Sequence, residues 1–401
     1  MGNTGVNLNQ LFVYILCLGI LTNLAIAQSD YITLHQQSLV VDTHSDVLLQ
    51  VLRGEDISKR LESGHVDLIR LKEGGVDVQF FAIWPNPSIY GNGGMFKQSM
   101  REIDLLNKII DNNQDKISLT RTPDEIEKAV INGKIAACIG VEGGTAIEND
   151  IGKLEALYDR GARYLGLTWN DSPAWASSAS DESSPEYKGQ KGLSDFGRKV
   201  IRWMNDKGMI IDVSHSGEQT FRDVIGESKK PIIASHSCVY NLCAHYRNLN
   251  DDQIRAIGKN NGVIFINFHP GYLVNGFNRK YSTLRKSSQV LMDSMKQVYG
   301  NDYSGYRKYR NNYLVEKAEN FIPDIERIVD HMDYIISLIG DGHVGLGSDF
   351  DGMIIAPRGI EDVSKMPQIT RVMLERGYSA ERIKKILGGN FMRVFREVSA
   401  Q

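Results

Sequence analysis

Six side chains of this protein that can bind a divalent metal each sit just after a short apolar run. His44 and Asp46 close the first such run, in Val41-Asp42-Thr43-His44-Ser45-Asp46. In an extended strand, residues i and i+2 face the same way. An imidazole and a carboxylate there make half of a metal site. Glu142 follows a second apolar stretch in Gly140-Val141-Glu142-Gly143-Gly144. His215 follows another in Ile211-Asp212-Val213-Ser214-His215, and His236 another in Ala234-Ser235-His236-Ser237. Asp349 ends the last, in Gly345-Leu346-Gly347-Ser348-Asp349-Phe350-Asp351-Gly352.

Taken one at a time, each has an ordinary reading. A histidine after a strand hydrogen-bonds a loop, Glu142 before two glycines is a turn acid, and Asp349 or Asp351 caps a helix or forms an Asx-turn. Taken together, three of only nine histidines and three carboxylates fall at equivalent places of five runs. Histidine with carboxylate suits Zn²⁺. Five ligands are too many for one open tetrahedral zinc, so two ions sharing a carboxylate is the economical arrangement. Two such ions would hold and ionise a water and polarise a carbonyl. A remaining aspartate could carry the proton to a leaving amine.

The elements that must position these groups are legible as a repeating pattern. The strand-like runs are Leu39–Thr43, Val76–Trp84, Ala136–Glu142, Tyr164–Trp169, Met209–Ser214, Pro231–Ser235, Gly262–Phe268 and Val344–Ser348. Amphipathic segments lie between them, at Asp67–Glu73, Phe96–Asn113, Asp124–Asn132, Ile151–Arg160, Ser194–Lys207, Gly217–Gly226 and Asp251–Lys259. A helical tail covers Ser364–Gly377 and Ala380–Glu397. Alternating runs and helices predict an α/β (β/α)₈ TIM-like barrel, whose active site is built by the loops after the strand C-termini. Continuous apolar runs fit strands buried on both faces. An open doubly wound sheet is disfavoured because no G-x-G-x-x-G follows the first strand.

Two insertions interrupt the pattern. Asp171–Gly192, after the fourth strand, is rich in Ser, Ala and Gly and reads as a mobile loop over the site. Residues 270–323, after the seventh, are basic and carry seven tyrosines. They read as a helical excursion packing its aromatics on the barrel, with a solvated basic face. His35, His65, His331 and His343 fall away from the strand ends, His269 falls among them, and His245 has no assigned role.

The rest of the composition is unremarkable for a globular enzyme: 42% hydrophobic and 24% charged residues in 401. A net charge of −3 gives no pull toward nucleic acid or an anionic membrane. Residues 1–27 read as a signal peptide: an uncharged apolar run from Leu11 ends in Ala25-Ile26-Ala27. The expectation is an exported protein, periplasmic or extracellular, with one domain over 28–401. Cys17 lacks the small residue before it that lipidation would want, and Val394–Gln401 has no hydrophobic tail for a lipid anchor. Of the three remaining cysteines, Cys138 reads as a buried small hydrophobe; Cys238 and Cys243 are close enough in sequence to pair, though nothing demands it. A homodimer is left open.

These motifs, with Arg247-Asn248-Leu249-Asn250-Asp251 and the ending Gly388-Gly389-Asn390-Phe391-Met392-Arg393-Val394-Phe395, resemble the membrane (renal-type) dipeptidase family, the M19 metallopeptidases. The resemblance runs in order from about residue 35 to 398. It implies a dipeptidase with two Zn²⁺ and tolerance of a C-terminal D-residue. His44, Asp46 and the bridging Glu142 would hold one zinc, and Glu142, His215 and His236 the other. It also implies that Arg247 grips the substrate carboxylate and that Asp349 is the catalytic aspartate, roles that suit a guanidinium and a carboxylate. One position departs. The family's mammalian members carry a histidine after the fourth strand, whereas this chain has Leu167-Thr168-Trp169-Asn170-Asp171. An indole donates one hydrogen bond but cannot become cationic. Transition-state stabilisation then falls to the metal or to Asn170, and Trp169 and Asn170 are the expected substrate contacts. Three alternatives remain at this point: a TatD-like nuclease, an amidohydrolase of cyclic amides, and a binding barrel without activity. The first two more often begin with His-x-His.

Overall fold

A computed structural model describes residues 31–90 and 94–400. The signal-peptide segment lies outside the described residues. Nine parallel strands form one sheet: β1 Val41–Ser45, β2 Val78–Ile83, β3 Ile117–Leu119, β4 Ile135–Glu142, β5 Ala162–Gly166, β6 Ile210–Asp212, β7 Ile233–Ser237, β8 Val263–Ile266 and β9 Val344–Leu346. β2 pairs with β4, which closes the eight strands other than β3 into a barrel. All eight overlap the expected runs, with ends offset by up to a few residues. β3 was not expected; it lies along β4 at Ile135–Ala137, beside the stretch that pairs β5. Three residues are too few to show a period.

The strands are buried along their whole length, apart from the partly covered β3. That is why they read as continuous apolar runs and not as alternating ones. Val41, Val78, Phe80, Cys138, Tyr164, Ile210, Ile233, Val263 and Phe265 pack in one cluster, which Phe391, Phe395 and Val398 of the last helix join. Asn390 in that helix donates to the carbonyls of Asp341 (2.7 Å) and Val344 (2.8 Å), tying it to the start of β9. The remaining core lies between the strands and the outer helices. The helix Glu326–Ile339, which the sequence reading did not single out, supplies Ile328, Val329, Met332 and Ile335 to it.

Both insertions differ from expectation in how they are held. Residues 171–192 are pinned to the loop after β6: the Ala179 N–H donates to the His215 carbonyl (2.7 Å), and Ser178 bridges Ser216. Ser177 and Ser172 hydroxyls donate to Glu182 and Asp181, both at 2.5 Å. Short polar side chains that looked like flexible-loop composition are spent on hydrogen bonds that order the segment. The second insertion is a helical hairpin, Phe277–Tyr299 and Tyr303–Ala318. Its Tyr299, Tyr306, Tyr309 and Tyr313 pack on one another, with ring centroids 6.1–6.4 Å apart, whereas Tyr272, ahead of the hairpin, packs on the barrel core as expected. Cys138, Cys238 and Cys243 are buried free thiols, so Cys238 and Cys243 do not pair. No helix among the described residues is long and apolar enough to cross a membrane.

Candidate metal centre

Four of the groups reach the barrel mouth because the strands carrying them are locally irregular. The β1–β2 register shifts between Asp42 and Ser45, around His44, and the β7–β8 register shifts between Ala234 and Ser237, around His236. Such irregularities re-aim a side chain. His215 and Asp349 instead have left-handed backbones, with φ of 67° and 61°. For residues other than glycine that conformation costs on the order of 1–3 kcal/mol and concentrates at functional sites.

Two further carboxylates, which the sequence reading did not assign, lock the seams beside the histidines. β1–β9 and β6–β7 each share a single paired position, Asp42 with Leu346 and Asp212 with Ile233. At each seam a buried aspartate takes the place of missing ladder bonds. Asp42 accepts from the Ser348 N–H (2.8 Å), the Ser348 hydroxyl (2.6 Å) and the His44 N–H (3.3 Å). Asp212 accepts from the Ser235 N–H (2.8 Å), the Ser235 hydroxyl (2.6 Å) and the Ser214 N–H (2.9 Å). A charged residue inside an otherwise apolar strand, two or three positions before a metal-competent histidine, was the signal available in the sequence.

The six expected groups converge. Glu142 lies at the centre: its Oε1 is 2.9 Å from His215 Nε2 and 3.4 Å from His236 Nε2, and its Oε2 is 3.6 Å from His44 Nε2. Asp46 Oδ2 is 3.9 Å from His44 Nε2. Ligand atoms of His44, Glu142 and His236 lie within 4.8 Å of one another, as do those of His44, Asp46 and Asp349. Asp349 also accepts from Asn267 Nδ2 at 2.9 Å. Gly352 leaves the space between two of these carboxylates open, since a Cβ there would run into both Asp349 and Asp46. Asp351, the neighbouring candidate, is engaged elsewhere. Its carboxylate accepts from the N–H groups of His65 (3.2 Å) and Val66 (3.1 Å), and His65 Nδ1 accepts from the Asp351 N–H (3.1 Å). His65 thus braces the loop behind Asp349, nearer the site than its sequence position suggested.

Hydrogen bonding identifies which nitrogen of each histidine carries the proton. Tyr164 donates its hydroxyl to the Thr43 carbonyl (3.1 Å) and so accepts from His44 Nδ1 (2.9 Å). Ser235 donates to Asp212 and so accepts from His236 Nδ1 (2.8 Å). Asn170 Oδ1 lies 3.2 Å from His215 Nδ1. In all three rings Nδ1 is the donor, and in His215 and His236 Nε2 holds the electron pair, the tautomer a metal ligand requires. His215 and His236 point these pairs at each other across 3.0 Å. His44 Nε2 is buried without a hydrogen-bond partner.

The electrostatics call for positive charge at this spot. Burial works to lower the His44 pKa, but Glu142, Asp46 and Asp349 push it up to about 10. Burial, then Glu142, holds Asp46 well above the usual carboxylate range. Burial also opposes ionisation of Glu142, but His44, His215 and His236 hold its pKa well below normal. Burial, then Arg247, lowers His215 to about 3, so that ring is neutral. Three carboxylates and the electron pairs of neutral His215 and His236 converging in a buried site would be costly without cations. An orphaned nitrogen, converging lone pairs and a hard-and-borderline donor set fit divalent metal.

A cavity of about 170 Å³ opens above the cluster, lined by Asp46, Glu142, His215 and Asp349 below and by Trp84, Trp169 and Asn170 on one side. Trp169 packs on Trp84 with centroids 4.7 Å apart. His269 and Tyr272 also line it. Arg247 is buried; its guanidinium lies 5.5 Å over the Tyr272 ring, donates to the His236 carbonyl (3.3 Å) and keeps Nε unpartnered. Its chain N–H donates to His245 Nδ1 at 3.2 Å.

The comparisons agree with this geometry. The family model of membrane dipeptidase (peptidase family M19) matches residues 29–401. Among solved structures, dipeptidase AC, a metallopeptidase of family M19, is 25% identical with a TM-score of 0.73, covering 90% of this chain and 99% of its own. A metallopeptidase from Rhodobacter sphaeroides, bound to a phosphinate mimic of the dipeptide L-Ala-D-Ala, is 25% identical with a TM-score of 0.71, covering 90% of this chain and 100% of its own. The probable dipeptidase PvdM from Pseudomonas aeruginosa shares the fold, at 24% identity and a TM-score of 0.77, over 94% of this chain and 99% of its own. With a closed barrel, a cluster of metal-competent side chains at its mouth and a family match over nearly its whole length, this chain belongs to the membrane dipeptidase family, the metallopeptidases of family M19.

Proposed function

We propose that the protein is a zinc-dependent dipeptidase with two Zn²⁺ per chain, cleaving small dipeptides and accepting a D-residue at the C-terminal position. The observation that carries this reading is the set of three Nε2 atoms converging on Glu142, with His44 Nε2 lacking any hydrogen-bond partner. His44, Asp46 and Glu142 would hold one ion, and Glu142, His215 and His236 the other. When bound, such ions activate water at neutral pH and polarise the scissile carbonyl.

The chain's own residues do the rest. Arg247 pairs with the substrate's free carboxylate; its unpartnered buried Nε suits a bidentate acceptor. Asp349, held by Asn267, collects the proton released from the attacking water and passes it to the leaving amine. Burial raises the Asp349 pKa, which favours a carboxylate able to take up a proton. Trp84 and Trp169 wall one side of the cavity and exclude water from the substrate. The L-Ala-D-Ala mimic bound by the Rhodobacter sphaeroides relative supports the substrate class.

Metal analysis of the purified protein and turnover of a panel of L,L and L,D dipeptides test the reading. Two zincs per chain and hydrolysis of both series are expected; metal binding without any dipeptide turnover would overturn it. For residues 1–27 we propose a cleaved export signal, and a mature N-terminus near Gln28 by mass spectrometry is the expected result.

A further inference from the structure

The three converging imidazoles differ in what holds them. His44 and His236 donate to Tyr164 and Ser235, both fully buried, whereas His215 donates to Asn170, half-buried in the cavity wall. His215 also has the left-handed backbone, with φ of 67°. Asn170 is itself fixed, its carbonyl accepting from the Ser178 hydroxyl at 2.9 Å.

An amide has two unlike ends. Asn170 Oδ1 faces His215 Nδ1 at 3.2 Å, so Nδ1 donates to the amide oxygen, while Nε2 is aimed at Glu142 Oε1 (2.9 Å) and His236 Nε2 (3.0 Å), where a metal ion would take its electron pair. The Asn170 NH₂ is then turned away from His215. It makes no hydrogen bond to any other described residue, and the side chain lines the cavity where substrate would sit. The neighbouring Trp169 has an indole in place of an imidazole and cannot supply a cationic donor.

The geometry points to a double role for Asn170: its Oδ1 positions His215, and its Nδ2 donates a hydrogen bond to the scissile carbonyl oxygen as negative charge develops there. The second half rests on the dipeptidase reading; the first does not. Acceptors behind metal-binding histidines are worth about 10–100-fold in metal affinity. A preorganised donor to a developing oxyanion is worth about 10²–10³-fold in kcat.

Two variants separate the halves, because aspartate keeps the acceptor and loses the donor. In zinc competition against a chromophoric chelator on metal-stripped protein, Asn170→Ala should weaken zinc binding about 10–100-fold, and Asn170→Asp should restore wild-type affinity or exceed it. With saturating zinc, both should lose about 100-fold or more in kcat, with KM changed far less. Thermal unfolding of each variant confirms that it folds. Unchanged zinc affinity in Asn170→Ala would refute the positioning role, as would Asn170→Asp binding no better than the alanine variant. Wild-type kcat in Asn170→Asp would refute the donor role. Wild-type protein that binds zinc and turns over no dipeptide would sink both the functional reading and the donor role, while the zinc titrations still decide the anchor.

Discussion

Replacing Tyr164 by phenylalanine removes one oxygen and tests how the metal centre is built. That hydroxyl accepts from His44 Nδ1 at 2.9 Å and donates to the Thr43 carbonyl at 3.1 Å, with the whole side chain inaccessible to solvent. Burial, then the Asp212 carboxylate, pushes its pKa well above the ordinary 10, so the hydroxyl keeps its proton. Water has little room to substitute, because the ring sits against Gly140, where any Cβ would strike it, and stacks on Phe80 at 5.2 Å. Tyr164→Phe therefore strands a buried donor and a buried acceptor. Each such group costs about 1–3 kcal/mol, so a loss of about 2–4 kcal/mol in folding stability is expected once partial relaxation is allowed. The effect on metal is separate. With Nδ1 unanchored, the His44 ring can turn or change tautomer, and zinc affinity should fall about 10–100-fold. Chelator competition measures the affinity, and denaturant unfolding of metal-stripped protein measures the stability. Excess zinc should recover most of the kcat, since Tyr164 acts through His44 and not on the substrate. Wild-type zinc affinity in the variant would refute the claim that Tyr164 sets the His44 tautomer; a kcat that excess zinc cannot recover would refute its purely positioning role.

Other perturbations probe the remaining parts. Asp349→Asn should keep two zincs by metal analysis and lose about 10²–10⁴-fold in kcat, as expected for a lost general acid–base group; loss of one zinc would make Asp349 a ligand instead, which its proximity to His44 and Asp46 allows. Glu142→Gln should lower occupancy of both ions, because its two oxygens face different histidines, and retention of two tightly bound zincs would rule out the bridge. Glu102, buried beneath the cavity wall, accepts from the Trp84 N–H (2.8 Å) and Gln98 (2.9 Å), and burial pushes its pKa from 4.5 up to about 7. A carboxyl whose folded pKa is raised favours folding at low pH and loses that contribution as pH rises from 4.5 through 7. Glu102→Gln should thus gain about 3 kcal/mol relative to wild type between pH 4 and pH 8.5. Parallel unfolding curves at the two pH values would show that Glu102 ionises without cost.

Much of the architecture was legible because parallel barrel strands are buried on both faces. Ile135–Glu142 and Val263–Ile266 announce themselves as apolar stretches, and Glu142, the polar residue that ends the first, lines the cavity at the barrel mouth. The helix expected over Asp251–Lys259 was found with those bounds, since Asn250 and Gln253 form a capping box that is local in sequence. The final helix was harder. It is broken by a π turn at Lys385–Gly389, where Gly388 comes too close to the Leu39 carbonyl for any side chain, a contact between the two ends of the chain. The short β3 and the pinned segment 171–192 were missed for the same reason: their partners lie elsewhere in the chain.

The sequence alone therefore determined the barrel, the side chains at its mouth and their chemical type, because strand periodicity and residue identity are carried by neighbours along the chain. Only the tertiary structure decided how those side chains are used. The proton on His44 is placed by Tyr164, 120 residues away, and that on His215 by Asn170, 45 residues away. The choice of Asp349 over Asp351 to face the cluster is made by the N–H groups of His65 and Val66, more than 280 residues earlier. Hydrogen bonds in a buried site must be satisfied by whatever the fold brings alongside. No local pattern records those partners, and they are what leaves three imidazoles and three carboxylates facing one small volume.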